Sequence, residues 1–260
     1  MSGVIQITID GKVCECEKGE FLLEVCKRNG IFIPTLCFHQ GLGGLGACRL
    51  CIVEVVQRGR SKVVVSCIYP VEGEIEVHTQ SDTIKEQRGV ILTLLHHLAP
   101  NAEVITQMAK FMGVALPRLA DKPDGDKCVL CGRCTTACEL LGTGAIAKVN
   151  RGTTKEIATP YHEQTPECVG CGSCAHVCPT GAIAFSATEE DFTIWNKTFE
   201  LLRCGQCGKP YITRAQFEFL RDKRGEPAEP LCDECEKKAT ARLMKDSEHG
   251  FGGVRELLRL

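Results

Sequence analysis

Hydrophobic and polar residues alternate near the start of the chain in the manner of β-strands. Residues 4–9 read Val-Ile-Gln-Ile-Thr-Ile, and residues 12–17 alternate again after an Asp10-Gly11 pair. An Asp-Gly dipeptide between two alternating runs is a strong short-range signal of a hairpin. We therefore predict two antiparallel strands that are joined by a tight turn.

Residues 20–29 change to the spacing of a short amphipathic helix. Gly30 follows as the C-terminal stop that helices commonly use. The pattern predicts that this helix buries one apolar face, which consists of Phe21, Leu22, Val25 and Cys26.

A cysteine-bearing loop and further strands follow this helix. Valine-rich runs at residues 51–57 and 62–66 predict two strands, and residues 81–97 predict a second helix. A hairpin, a helix, a cysteine-bearing loop and further strands together form the β-grasp pattern that carries a 2Fe-2S centre. We therefore expect an α+β chain whose first domain covers residues 1–79.

The composition favours an intracellular redox protein. The chain has 260 residues, 19 cysteines and a formal net charge of −2. So many cysteines would indicate disulfides in a short secreted chain, but residues 1–10 lack the apolar core of a signal peptide. No run reaches the ~18 apolar residues that a membrane span requires. The small negative net charge gives no indication of the basic surface that binds nucleic acid. We expect a cytoplasmic protein that neither inserts into a membrane nor binds nucleic acid.

Two cysteine runs with one spacing, C-x2-C-x2-C-x3-C, occupy the middle of the chain. The runs are Cys128, Cys131, Cys134 and Cys138, and then Cys168, Cys171, Cys174 and Cys178. In such runs three nearby thiolates bind three irons of one 4Fe-4S cluster, and the fourth cysteine binds the other cluster. The spacing therefore predicts one site at Cys128, Cys131, Cys134 and Cys178, and a second at Cys138, Cys168, Cys171 and Cys174. Zinc sites are the alternative, but they use isolated cysteine pairs.

Four further cysteines lie in the expected β-grasp domain, at Cys37, Cys48, Cys51 and Cys67. Their spacing differs from that of plant-type ferredoxins. Residues 46–55 read Gly-Ala-Cys-Arg-Leu-Cys-Ile-Val-Glu-Val. This motif resembles the N-terminal ferredoxin domain of the large iron-sulfur subunit of complex I, of iron-only hydrogenases, and of the small diaphorase subunits of NAD-reducing hydrogenases and formate dehydrogenases. The resemblance implies that these four cysteines bind one 2Fe-2S cluster.

The resemblance continues through both cysteine runs and covers residues 1 to about 187. Relatives often carry an additional 4Fe-4S cluster between these regions, bound by one histidine and three cysteines. His96 and His97 stand where that histidine is expected, but no cysteine follows them before Cys128. We therefore expect that the helical segment 80–120 lacks this cluster and that both histidines belong to the end of a helix.

The last four cysteines form two C-x2-C pairs, which are Cys204 with Cys207 and Cys232 with Cys235. Two such pairs predict a zinc ribbon, in which four thiolates form a tetrahedron around the metal. Rubredoxin-like iron is the first alternative and a further Fe-S cluster the second. The many charged residues of segment 209–230 favour zinc. Because zinc has no redox chemistry, we expect the ribbon to serve folding or docking.

These patterns divide the chain into five predicted segments. They are a β-grasp 2Fe-2S domain (1–79), a helical linker (80–120), a bacterial-type dicluster 4Fe-4S ferredoxin domain (121–190), a zinc-ribbon or rubredoxin-like module (191–240) and a helical tail (241–260). Cys14, Cys16 and Cys26 remain, and we expect them to be small buried hydrophobic residues.

No motif supplies substrate chemistry, so we expect an electron-transfer subunit without a catalytic role of its own. The glycine run at residues 41–46 lies between cluster ligands rather than in a nucleotide-binding βαβ unit. The resemblance implies a flavin-containing NAD(P)H diaphorase subunit as one partner and a catalytic subunit or ferredoxin as the other. Hydrogenases, formate dehydrogenases and electron-bifurcating transhydrogenases are the candidate complexes. An independent ferredoxin-like shuttle and a redox-responsive regulator are the alternatives.

Overall fold

The computed structural model describes residues 4–117, 127–224 and 230–246. Packing divides the chain into two units: the first contains residues 1–162 and 173–184, and the second contains residues 163–172 and 185–260. The second cysteine run contributes to both units. The five segments that the sequence indicates therefore stay a prediction.

A five-stranded sheet forms the first part of the first unit. Its strands are β1 (Val4–Ile9), β2 (Lys12–Glu17), β3 (Ile52–Gln57), β4 (Arg60–Val65) and β5 (Glu76–His78). The order is β2-β1-β5-β3-β4, with β5 parallel to β1 and the other neighbours antiparallel. The predicted hairpin and both valine-rich strands are confirmed, whereas the sequence pattern does not reveal β5.

The helix α1 (Leu22–Arg28) confirms the first predicted helix. Its inner face and the neighbouring sheet bury Leu22, Val25 and Cys26 together with Cys14 and Cys16, as expected. The prediction that Phe21 is buried is wrong, because Phe21 precedes the helix in extended conformation and is 47% exposed. Leu23 is buried instead.

Two helices follow the sheet, α2 (Asp82–Leu98) and α3 (Glu103–Phe111). The first of them confirms the second predicted helix, and the Ser81 hydroxyl caps it by accepting a hydrogen bond from the N–H of Ile84 at 3.4 Å. Buried residues of both helices share one apolar core with the loops that carry Cys37, Cys48 and Cys131. This segment is therefore packed against cysteine loops rather than extended.

The rest of the first unit holds two short helices and a small sheet. The helices are α4 (Arg133–Leu141) and α5 (Ser173–His176), and the sheet pairs β6 (Ala147–Val149) with β7 (Glu156–Ala158). The helix α4 carries Cys134 and Cys138, and α5 carries Cys174. These two helices pack against each other.

The second unit is built on a four-stranded antiparallel sheet that the sequence analysis does not predict. Its strands, in the order β11-β10-β9-β8, are β8 (Phe185–Ala187), β9 (Asp191–Ile194), β10 (Lys197–Arg203) and β11 (Pro210–Thr213). Two helices follow, α6 (Arg214–Arg224) and α7 (Asp233–Asp246). The predicted tail is helical as far as Asp246, and its remainder lies outside the described residues. Within the described ranges, no helix has the length and apolar character needed to cross a membrane.

Candidate iron-sulfur and metal centres

The four cysteines of the predicted 2Fe-2S site lie in the first unit. They are Cys37, Cys48, Cys51 and Cys67, and none is more than 4% exposed. Cys51 directly precedes β3, and Cys67 follows closely after β4. Because these strands pair with Ile52 opposite Val65, both cysteines lie at the same end of the sheet.

Hydrogen bonds connect the sulfurs of this set. The N–H of Cys48 donates to the Sγ atom of Cys37 at 3.5 Å. Thiols of Cys48 and Cys67 also donate to Cys37, and these bonds lower the pKa of Cys37 to about 2. The pKa of Cys51 is likewise lowered, to about 7, because the single thiol proton of Cys67 is shared between the sulfurs of Cys37 and Cys51. Four buried cysteine sulfurs that hydrogen bonds connect into one group become the donor set of an Fe-S cluster once the thiols lose their protons, so these residues fit a 2Fe-2S cluster.

The four cysteines of the first predicted 4Fe-4S site also lie in the first unit, at Cys128, Cys131, Cys134 and Cys178. Burial raises the pKa of the first three thiols, and the charge of Cys178 adds to each of these shifts. The four sulfurs are therefore within electrostatic range of one another. This thiolate set fits a 4Fe-4S cluster.

Both cysteine runs end in the same local structure. The N–H of Ala145 donates to the Sγ atom of Cys138 at 3.2 Å, and the N–H of Ala182 donates to Cys178 at 3.3 Å. Each alanine belongs to a Thr-Gly-Ala-Ile sequence that follows its run. The repeated sequence thus supplies an equivalent N–H donor to the last cysteine of each run. Hydrogen bonds to cluster sulfurs tune the reduction potential of the cluster.

Replacement of the two repeat threonines is expected to shift a different 4Fe-4S cluster in each case. The Thr143 hydroxyl lies 3.1 Å from the sulfur of Cys138, and the Thr180 hydroxyl lies 3.5 Å from that of Cys178. A cluster-bound sulfur has no proton, so the hydroxyl donates and stabilises the added negative charge of the reduced cluster. With crossed ligation, Thr143→Val lowers the potential of the second cluster and Thr180→Val that of the first.

The measurement is a redox titration followed by electron paramagnetic resonance (EPR). Cys131→Ser and Cys171→Ser assign the two signals, because each perturbs a central ligand of one run. Thr154→Val is the control, since the Thr154 hydroxyl is exposed and bonds to the carbonyl of Arg151. A shift of the first-cluster signal by Thr143→Val would contradict the crossed ligation.

The remaining cysteines of the dicluster pattern belong to both units. Cys138 and Cys174 lie in the first unit, whereas Cys168 and Cys171 lie in the second. Their assignment to one 4Fe-4S cluster stays a prediction from their spacing.

The C-terminal sheet holds the loop that carries Cys168 and Cys171. The Thr213 hydroxyl donates to the carbonyl of Val169 at 2.5 Å, and the Lys197 ammonium donates to the carbonyl of Cys168 at 3.0 Å. All of these residues belong to the second unit. The sheet therefore supports the backbone of a predicted ligand loop.

A glycine allows this close packing. Gly170 has a φ of 67° and faces the ring of Phe199, which a Cβ at position 170 would approach to 2.6 Å. Any other side chain there would be strained and would collide with the ring.

The four C-terminal cysteines form a compact set that fits one metal ion. The Sγ atoms of Cys204, Cys207, Cys232 and Cys235 all lie within 4.8 Å of one another, and those of Cys207 and Cys232 are 3.7 Å apart. Thiolates in a tetrahedron around an ion at ~2.3 Å are separated by about 3.8 Å. The N–H of Cys232 donates to Cys204 at 3.3 Å and lowers the pKa of Cys204 to about 6. This geometry favours a single ion over a larger Fe-S cluster.

The histidines at the end of α2 make different contacts. The Nδ1 atom of His97 lies 2.8 Å from the carbonyl oxygen of Thr93 in the same helix. The buried Nδ1 atom of His96 has no hydrogen-bond partner in the described part of the chain. The absence of a histidine-ligated cluster stays a prediction.

Three basic residues lie beside the cysteine loops and are not predictable from the sequence, namely Arg88, Arg133 and Lys197. Each donates hydrogen bonds to backbone carbonyls that adjoin or belong to a cysteine. No local signal identifies them, because a charged residue inside a helix or strand pattern is normally exposed and these carbonyls come from distant parts of the chain.

Comparison with protein families identifies two domains. Residues 2–82 match the 2Fe-2S iron-sulfur cluster binding domain, and residues 127–182 match the 4Fe-4S dicluster domain. These ranges contain all twelve cysteines that are predicted to hold the three clusters. The four C-terminal cysteines lie outside both ranges.

Several curated proteins are similar to this chain. The NADP-reducing hydrogenase subunit HndD of Solidesulfovibrio fructosivorans is 32% identical over 214 residues, which cover 69% of this chain and 36% of that protein. The NADPH-Fe(3+) oxidoreductase subunit alpha of Geobacter sulfurreducens is 32% identical over 204 residues, covering 69% and 24%. The mitochondrial NADH-ubiquinone oxidoreductase 78 kDa subunit of Neurospora crassa is 29% identical over 205 residues, covering 69% and 27%. The chain thus spans about a third or less of the length of these relatives.

A solved structure shows the same relationship. The crystal structure of an NAD+-reducing NiFe-hydrogenase in the H2-reduced state matches with a TM-score of 0.58 and 26% identity, covering 68% of this chain and 86% of that chain. The chain is therefore an iron-sulfur protein with a 2Fe-2S domain and a 4Fe-4S dicluster domain, and it is homologous to subunits of the NADH-quinone oxidoreductases and of the NAD(P)-reducing hydrogenases.

Proposed function

We propose that this chain is a non-catalytic electron-transfer subunit of a multisubunit NAD(P)H-linked oxidoreductase. It relays single electrons between a flavin-containing NAD(P)H diaphorase subunit and a catalytic subunit or ferredoxin. Hydrogenases, formate dehydrogenases and electron-bifurcating transhydrogenases are the candidate complexes. The similar proteins support this proposal, because they include subunits of an NADP-reducing hydrogenase and an NADPH-Fe(3+) oxidoreductase.

The proposed cofactors are one 2Fe-2S cluster, two 4Fe-4S clusters and one zinc ion. The ligands of the 2Fe-2S cluster are Cys37, Cys48, Cys51 and Cys67. Those of the 4Fe-4S clusters are Cys128, Cys131, Cys134 and Cys178 for the first, and Cys138, Cys168, Cys171 and Cys174 for the second. Zinc takes Cys204, Cys207, Cys232 and Cys235. When bound, the iron-sulfur clusters supply one-electron transfer, whereas zinc supplies no redox chemistry.

The observation that carries the proposal is one apolar core that joins two ligand loops. It contains Leu36, Cys37, Cys48 and Leu50 from the 2Fe-2S domain, and Val129 and Cys131 from the dicluster segment. Electron transfer weakens steeply with distance, so direct packing of two ligand loops favours transfer between their centres.

Arg133 adds a hydrogen-bonded connection between the same two loops. Its guanidinium donates to the carbonyl of Phe38, which follows Cys37, and to the carbonyl of Val177, which precedes Cys178, at 3.3 Å in the second case. One side chain thus joins residues that adjoin a ligand of each site. These contacts support transfer between the 2Fe-2S cluster and the first 4Fe-4S cluster.

Anaerobic purification from native cells through a mild affinity tag tests the proposed function. We expect a flavoprotein with a nucleotide site and a catalytic subunit to remain bound in stoichiometric amounts, as identified by mass spectrometry. Cells that express the tag alone provide the control. A stable monomer whose reduced form donates electrons to several acceptors would instead support the independent shuttle.

A further inference from the structure

A buried charge lies beside the proposed 2Fe-2S site. Arg88, in the middle of α2, is only 1% exposed. Among the described residues, its guanidinium hydrogen-bonds to backbone carbonyls and forms no salt bridge with a carboxylate. Removing an unpaired charge from water is costly, and arginine is almost never fully buried unless it is paired. A negative group near Arg88 is therefore needed to compensate this charge.

The guanidinium points at the backbone around Cys51. Its Nε–H donates to the carbonyl of Leu50 at 3.1 Å, and an Nη2–H donates to the carbonyl of Ile52 at 2.6 Å. These two carbonyls flank Cys51 on either side. Burial lowers the pKa of Arg88 to about 10. The negative charges of Cys51 and Asp10 both raise this pKa, and Cys51 has the larger effect.

Other polar groups near Arg88 compensate its charge less than Cys51 does. The carboxylate of Asp10 accepts hydrogen bonds from the N–H and the hydroxyl of Thr79, and its charge raises the pKa of Arg88 less than that of Cys51 does. The Ser66 hydroxyl donates to the carbonyl of Cys51 at 2.7 Å and carries no net charge. Cys51, whose two neighbours supply the carbonyls that bind Arg88, is therefore the main source of compensating negative charge.

We propose that Arg88 is the counter-charge of the 2Fe-2S cluster and raises its reduction potential. A cluster with four thiolates is negatively charged, and one-electron reduction adds a further negative charge. A fixed positive charge in a poorly polarisable interior stabilises the reduced form more than the oxidised form. Arg88 also positions Cys51 through the flanking carbonyls. This inference rests on the proposed ligation by Cys37, Cys48, Cys51 and Cys67.

The test compares potentials in the full chain, reconstituted anaerobically and titrated with EPR detection of the 2Fe-2S signal. In Arg88→Met, we expect the ratio of reduced to oxidised cluster at a fixed potential to fall about tenfold, which is a shift of about −59 mV for one electron. Arg88→Lys keeps the charge and is expected to stay close to the wild-type potential. Arg60→Met is the matched control, because it removes an exposed arginine from the same sheet, where solvent screens the charge.

Two results would overturn the proposal: an unchanged potential in Arg88→Met, or equal shifts in Arg88→Met and Arg88→Lys. If Arg88→Met fails to retain the cluster, Arg88→Lys decides. A retained cluster near the wild-type potential supports the counter-charge, and loss in both variants refutes it. The wild-type chain distinguishes failure of this inference from failure of the proposed function. If the wild-type chain shows the 2Fe-2S signal but the Arg88 variants leave the potential unchanged, only the role of Arg88 is refuted.

Discussion

Replacement of Gly44 by alanine is expected to prevent assembly of the 2Fe-2S cluster. A Cβ at this position would lie 2.1 Å from the carbonyl oxygen of Cys67 and 2.9 Å from its Cβ. No side chain tolerates such contacts, so either the glycine loop or Cys67 must move. Cys67 is buried in a packed core, where overpacking typically costs about 1–3 kcal/mol. The displacement therefore affects a proposed ligand directly.

The measurement combines the 2Fe-2S EPR signal with the iron content of the anaerobically reconstituted full chain. We expect Gly44→Ala to lose about two iron atoms per chain and to retain the 4Fe-4S signals. Gly41→Ala is the matched control in the same loop, because its Cβ would meet the His39 ring at an ordinary distance of 3.6 Å. A wild-type 2Fe-2S signal in Gly44→Ala would argue against Cys67 as a ligand.

Features that depend on neighbours in sequence are predictable in this chain. Alternation around an Asp-Gly pair is sufficient for β1 and β2, because a two-residue turn fixes their register. Helical spacing is sufficient for α2. The cysteine spacing also groups Cys178 with the first run. This grouping stays a prediction, and the electrostatic interaction among the four sulfurs is consistent with it. Cluster geometry, rather than the surrounding fold, sets that spacing.

Features that depend on distant partners are not predictable in the same way. The strand β5 has three residues and pairs in parallel with β1 from the opposite end of the domain sequence. Phe21 is misplaced because the helix begins one residue later than its apolar pattern. Arg88 occupies a polar position in a helical pattern, and only the folded chain places it beside Leu50 and Ile52. Long-range packing decides each of these cases.

Loss of the C-terminal metal is expected to unfold the module around it. The strand β10 leads directly into Cys204, whose N–H bonds to the carbonyl of Lys209 before β11 begins. In the described part of the module, the apolar cluster around the cysteines contains only two partly buried side chains, Tyr211 and Leu231. So few apolar contacts around the cysteines provide little stability there, whereas structural zinc contributes an apparent ~10–16 kcal/mol in small zinc-binding peptides. The metal is therefore expected to dominate the stability of this module.

The Cys204→Ser variant tests this expectation. Zinc is expected to fall from about one atom per chain to nearly none, while the 2Fe-2S EPR signal keeps its wild-type intensity. Amide hydrogen exchange in β10 and β11 should rise towards that of unfolded chain. Cys16→Ala is the control, because Cys16 is buried in β2 and belongs to no proposed metal site. An additional iron atom in place of zinc in the wild-type chain would identify rubredoxin-like iron.

The same variant should also loosen the ligand loop that carries Cys168 and Cys171. Thr213 and Lys197, on β11 and β10, bond directly to the carbonyls of that loop. We therefore expect hydrogen exchange at Val169 to rise together with that of the two strands. If amide exchange rises in β10 and β11 but stays unchanged at Val169, the metal stabilises only the C-terminal module and not the ligand loop. A joint rise means that a redox-inactive ion stabilises the backbone of a cluster-binding loop.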